Sequence, residues 1–204
     1  MKVPFRSMLE NTVRQALPLV VACAIVLAGR ASLADHYVVP TGSMRPTVEA
    51  GDRVIVNKLA YGVRVPMTER WLVRYAAPKV GEVVVLDSPE GGTVLLKRVA
   101  AAPGDTVVVV EGRIVLNGKP ADVRGSADAV VEELNGVTHR IRLTWGGGPA
   151  YGPAVVPEGM YLLMGDNRGD SHDGRSFGLV RGEAILGRAG KIYFSGGGFA
   201  WRDL

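Results

Sequence analysis

From residue 36 onward the apolar residues arrive in short runs broken by glycine and proline, and no stretch keeps the three-and-four spacing of a long amphipathic helix. With 27 glycines and 12 prolines in 204 residues, turns are frequent and strands must be short. The runs that read as strands are residues 53–57, 82–87, 94–100, 106–111, 113–116, 138–143, 160–164 and 184–194. Glu111-Gly112 between two valine-rich runs predicts a hairpin, and Asn117-Gly118 a turn directly after it. Pro103-Gly104-Asp105 and Pro157-Glu158-Gly159 mark further reversals. Residues 127–134 carry the one hint of a short helix. Short strands joined by tight turns favour an antiparallel, mostly β architecture. Residues 117–156 are richer in glycine, proline and polar side chains, which predicts an inserted flap or minor subdomain.

One long apolar run precedes this body, at residues 16–29. It is short of the roughly 20 residues that a spanning helix needs, and reaches that length if it continues past Arg30 to Ala34 with the arginine snorkelling to the interface. Lys2, Arg6 and Arg14 lie before the run and are opposed only by Glu10, so the positive-inside rule places the N-terminus in the cytoplasm. A secretory signal peptide has the same outline, and Ser32-Leu33-Ala34 offers the small residues of a cleavage site. The pattern alone leaves both readings open. No later run is apolar for long enough to span.

Charge and cysteine narrow the function. The net charge of +4 is mild and the basic residues are scattered, which argues against a nucleic-acid binder and leaves attraction to anionic lipid headgroups open. The single cysteine, Cys23, lies in the apolar run, so there is no intrachain disulfide, no cysteine nucleophile in a soluble site and no cysteine-built zinc cage.

Three clusters could carry chemistry. In Val39-Pro40-Thr41-Gly42-Ser43-Met44-Arg45-Pro46-Thr47, two prolines around a Gly-Ser pair make a stiff loop that can present a hydroxyl in fixed geometry. In Thr93-Val94-Leu95-Leu96-Lys97-Arg98-Val99, strand alternation puts Lys97 on one face with Leu95 and Val99. Burial there would disfavour the ammonium, and a neutral amine can take a proton from a serine hydroxyl. The third cluster runs from Gly165 to Gly178 and is dense in charge. It fails the EF-hand spacing, because Arg168 falls where an oxygen ligand belongs. A buried polar network, with Asp173 and Arg175 paired and Ser171 hydrogen-bonded to a neighbour, suits it better. A triad of Ser43, His172 and Asp173 or Asp166 is a further arrangement to weigh. His36 and His139 have no evident partners in the sequence.

Taken in order, these segments resemble the signature segments of type I signal peptidases. The resemblance rests on the apolar run, Pro40 to Thr47, Gly51-Asp52-Arg53-Val54-Ile55-Val56, Gly81-Glu82-Val83-Val84-Val85, Leu96-Lys97-Arg98-Val99 leading to Pro103-Gly104-Asp105, and Gly165-Asp166-Asn167-Arg168. It extends from about Val20 to Lys191–Ser195. Gly169-Asp170 stands where Asp-Asn is more usual, and Gly174 where a serine is commoner. The resemblance implies a mostly antiparallel β protease domain with an apolar surface at the membrane. Ser43 would be the nucleophile and Lys97 the general base. The Ser43 backbone N–H and the Thr41 hydroxyl would form the oxyanion hole. Ser171 would orient the lysine amine, Asp173 and Arg175 would brace the site, and Met44 would line a substrate pocket.

Residues 1–14 would then be cytoplasmic, 15–34 a retained anchor in the inner membrane and 35–204 the extracytoplasmic protease domain. Substrates would be the signal peptides of exported preproteins, bound as an extended strand and cut after Ala-X-Ala. Membrane lipid is the other expected partner, with no metal, no cofactor and no nucleic acid. An exported binding protein in which Ser43 and Lys97 are incidental is the reading of another class.

Overall fold

The computed structural model describes residues 14–19, 21, 34–65, 68, 70–126 and 129–204. The expected anchor at residues 15–34 lies largely outside these. Residues 14–19 are helical, and among the described residues no helix is long and apolar enough to cross a membrane.

The rest is strand and turn. In chain order the strands are β1 (Ala34–Val38), β2 (Arg53–Asn57), β3 (Gly62–Arg64), β4 (Trp71–Arg74), β5 (Val83–Asp87), β6 (Val94–Ala101), β7 (Thr106–Val110), β8 (Arg113–Leu116), β9 (Lys119–Pro120), β10 (Asp122–Ser126), β11 (Ala129–Leu134), β12 (Val137–Ile141), β13 (Tyr151–Val155), β14 (Met160–Met164), β15 (Val180–Arg181), β16 (Ile185–Ser195) and β17 (Gly198–Asp203). A one-turn helix, Gly174–Phe177, and two short 3-10 segments, Thr144–Gly147 and Gly182–Ala184, complete the described body.

The main sheet runs β1-β2-β16-β5-β6-β14-β15, with β17 also on β16, and the strand pairings are antiparallel. Its centre is apolar on both faces. In β5, Val84 and Leu86 face one core cluster while Val83 and Val85 face the other. That is why the segment reads as an unbroken apolar run: a strand covered on two sides loses the usual alternation.

The first cluster fills the space between this sheet and the smaller sheet β13-β7-β8-β9, with Val107, Val109 and Ile114 packed against Val99 and Leu163. The second cluster joins Val54, Val56 and Ile192 to Val39, Met44 and Val48, so three apolar residues pin the segment after β1 onto the sheet.

Most expected strands form within a residue or two of their expected ends. The helix expected at 127–134 does not. Residues Ala129–Leu134 are strand β11, because Val130, Glu132 and Leu134 point inward at alternate positions. The region expected to be one insert is divided. β9 and β13 belong to the sheet of β7 and β8, and only β10-β11-β12 forms a separate three-stranded sheet.

Gly147 holds these parts together by close approach. Its φ is +75°, and a Cβ there would lie 2.1 Å from the Glu111 carbonyl oxygen in the β7–β8 turn. Gly147→Ala should therefore cost at least about 1–3 kcal/mol from backbone strain, before the clash is counted. A urea titration of the purified chain measures it, and an unchanged midpoint would contradict the packing described.

Candidate active site

Two elements of different origin meet at the site. The Ser43 loop is a run of turns whose backbone is closed by hydrogen bonds: Arg45 N–H to the Gly42 carbonyl at 3.0 Å, Val48 N–H to Met44 at 3.0 Å and Gly51 N–H to Val39 at 2.8 Å. Its apolar side chains are inside, so the small polar ones are left at the surface. Lys97 is on β6 opposite Val84 of β5. As alternation requires, its strand mates Leu95 and Val99 pack on the same core cluster as Val84.

The outcome is a direct contact. Lys97 Nζ donates to Ser43 Oγ at 2.7 Å, and Thr41 Oγ1 lies 3.4 Å from the same oxygen. Lys97 is 2% exposed. Burial pushes its amine down from 10.5 to about 8, against the pull of the Asp173 and Asp166 carboxylates and with some help from Arg175.

The loop after β14 supplies the frame. Asp166, fully buried, accepts from Arg98 Nε at 2.8 Å, Arg98 Nη2 at 2.7 Å and Thr47 Oγ1 at 2.5 Å. One carboxylate thus ties the residue after Lys97 to the Ser43 loop. Asn167 clamps the backbone around Ser43: its N–H reaches the Ser43 carbonyl at 3.0 Å and its Nδ2 the Gly42 carbonyl at 3.1 Å.

Asp173 accepts from Arg175 Nε and Nη2, both at 2.8 Å, and from the Gly165 N–H at 2.9 Å. Burial alone would raise both carboxyls. The Arg98 guanidinium holds Asp166, and the Arg175 guanidinium holds Asp173, below the ordinary aspartate value.

Several expectations need correction. Met44, expected against substrate, is 0% exposed and belongs to the core, because the loop is anchored by this side chain. Ser171 Oγ is buried and makes no hydrogen bond to Lys97; its hydroxyl faces the Asp173 carboxylate and helps to hold it ionised. It sits over Gly165, where a Cβ would lie 2.2 Å from it and 2.4 Å from the Ser43 carbonyl oxygen. His172 is exposed and pairs with Glu90 at 2.9 Å, so the Ser-His-Asp arrangement is not assembled here. His139 is not without a partner: its Nε2 lies 3.1 Å from buried Glu132. The sequence reading missed Thr47, Arg98 and Asn167, and took Asp166 only as a triad member. Their only signal was that they lie inside the motif segments.

Comparison with known proteins gives a consistent picture. A family model described as signal peptidase, peptidase S26, matches residues 12–194. The signal peptidase I of Pseudomonas fluorescens is 34% identical, covering 84% of this chain and 68% of that protein. That of Pseudomonas aeruginosa is 33% identical with the same coverage, and that of Bacillus licheniformis 32% identical over 86% of this chain and 85% of its own length.

Two measurements check the geometry. A lysine-selective ¹³Cε NMR titration should find the Lys97 amine at about 8, and a value near 10.5 would contradict its burial. Asp173→Asn leaves a buried guanidinium without its counter-charge. It should destabilise the chain by about 3–5 kcal/mol by chemical denaturation.

Proposed function

The chain belongs to the signal peptidase S26 family, and we propose that it is a membrane-bound serine endopeptidase that removes signal peptides from exported preproteins through a Ser43–Lys97 dyad. The observation that carries the reading is the 2.7 Å contact between a surface-loop hydroxyl and a buried amine. An amine titrating at about 8 is neutral in about a tenth of molecules at pH 7, against about one in three thousand for a solvated lysine. That difference separates a usable base from an inert one.

The chemistry follows from these groups. Ser43 Oγ attacks the scissile carbonyl carbon while neutral Lys97 takes its proton. The oxyanion faces the Ser43 N–H and the Thr41 hydroxyl, which lies beside Oγ. As the C–N bond breaks, the Lys97 ammonium returns the proton to the departing amine and an acyl-enzyme remains. Lys97 then deprotonates a water, whose attack releases the acid and regenerates Ser43. Asp166, Asn167, Asp173 and Arg175 position these groups, and Ser171 acts on the amine only through Asp173.

The sheet supports a mode of substrate binding. β6 pairs with β5 along residues 94–98, whereas β14 pairs with it only from Arg98 onward. Residues 94–97 therefore present an open strand edge leading to the dyad. A signal-peptide segment can add to it as an extended strand, with its alternate side chains in shallow pockets that accept small residues at Ala-X-Ala. An anchor at residues 15–34 would keep this edge at the inner membrane, with the N-terminus cytoplasmic and the protease domain outside.

In detergent or lipid, the purified chain should cleave a preprotein after Ala-X-Ala. Ser43→Ala and Lys97→Ala should abolish turnover, Thr41→Val should lower kcat by about 10²–10³, and His172→Ala should stay within about twofold. A dead His172→Ala with an active Lys97→Ala would overturn the dyad. Because the base works only when neutral, kcat/KM should rise about tenfold per pH unit up to about 8 and level off above it.

A further inference from the structure

A buried ion pair joins the separate three-stranded sheet to the loop that frames the dyad. Glu132 of β11 is 0% exposed and Arg168 is 1% exposed. Arg168 Nη1 donates to Glu132 Oε1 at 3.0 Å and Nη2 donates to Oε2, while Nη1 also reaches the Gly112 carbonyl at the β7–β8 turn. His139 of β12 lies 3.1 Å from Oε2 and closes the other side of the carboxylate. Burial would raise this carboxyl, but Arg168 first and His139 after it draw it below the ordinary glutamate value.

The backbone of the same arginine is held within the site. Its N–H donates to the Arg142 carbonyl at 2.9 Å, and its carbonyl accepts from Arg175 Nη2 at 2.8 Å. The preceding residue is Asn167, whose two donors grip the Ser43 and Gly42 carbonyls. One side chain and one peptide unit therefore lie between the Arg168 guanidinium and the Asn167 clamp on the Ser43 loop.

We propose that Glu132 is a positioning residue for the dyad, acting through Arg168 on the Asn167 clamp. The inference rests on the reading of Ser43 and Lys97 as the catalytic pair. It makes the inserted sheet a working part of the active site. A purely structural ion pair would change stability alone. A positioning one changes turnover in molecules that are fully folded.

Glu132→Gln keeps the shape and removes the charge. In full-length protein in detergent, at a temperature where near-UV circular dichroism shows wild-type folding, kcat should fall about ten- to a hundredfold, the scale of a small misplacement of reacting groups. KM should stay within about threefold, because the open edge of β6 is untouched. The double variant Glu132→Gln/Arg168→Met removes both buried charges together, a change that folded proteins often tolerate. It should fold and keep the kcat deficit, and it decides the matter should the single variant fail to fold. Wild-type kcat in either folded variant would overturn the proposal. Ser43→Ala is the control: if it were active, the dyad reading would fall and this inference with it.

Discussion

The structure depends on an ammonium that is denied water. Lys97 is held in β6 between a sheet partner and a core, and the cost of keeping it there is on the order of 3 kcal/mol, the equivalent of moving its pKa from 10.5 to about 8. The carboxylates that could undo the effect are near. Asp173 and Asp166 both pull the amine back towards protonation. Each is saturated by its own arginine, Arg175 or Arg98. Buried ion pairs are weak contributors to stability. Here they keep both carboxylates occupied beside a buried amine.

The same pairs fix distance. A proton can pass between Ser43 and Lys97 only if a loop and a strand that are 54 positions apart keep a contact of 2.7 Å. Apolar anchoring by Val39, Met44 and Val48 sets the loop on the sheet. Asp166 and Asn167 then set it to within a hydrogen bond, by gripping Thr47 and the carbonyls of Gly42 and Ser43. Packing supplies the coarse placement and charge-assisted hydrogen bonds the fine one.

What the sequence disclosed follows from the range of the interactions involved. Alternation within β6 is local, so the inward direction of Lys97 could be read from Leu95 and Val99. The pairing of Asp173 with Arg175 spans two positions and was legible for the same reason. Arg98 with Asp166 spans 68 positions, and Arg168 with Glu132 spans 36. No local pattern encodes such contacts. Residues 127–134 misled because Val130-Val131-Glu132-Glu133-Leu134 sets like residues in pairs and hides the alternation of a strand, and the buried charge of Glu132 is understood only once Arg168 is opposite it. Met44 misled because a methionine beside a nucleophile reads equally as pocket or anchor. β1 and β17 escaped notice because their side chains are mostly exposed or half-buried and carry little apolar signal.

These electrostatics couple folding to the charge on Lys97 in one direction. Asp166, Asp173 and Glu132 have folded-state values below their unfolded ones, so the stability they contribute is present above the ordinary carboxylate range and lost as pH falls through the lowered values. Lys97 runs with them and not against them. Its folded value is below its unfolded one, so its desolvation cost is complete below about pH 8 and is relieved as pH rises towards 10.5. Raising the pH therefore favours the neutral amine and the fold that buries it together. A catalytic histidine, with an ordinary pKa already near neutrality, would need no such burial. A lysine does, and two buried arginine–carboxylate pairs, Arg98–Asp166 and Arg175–Asp173, stand beside it.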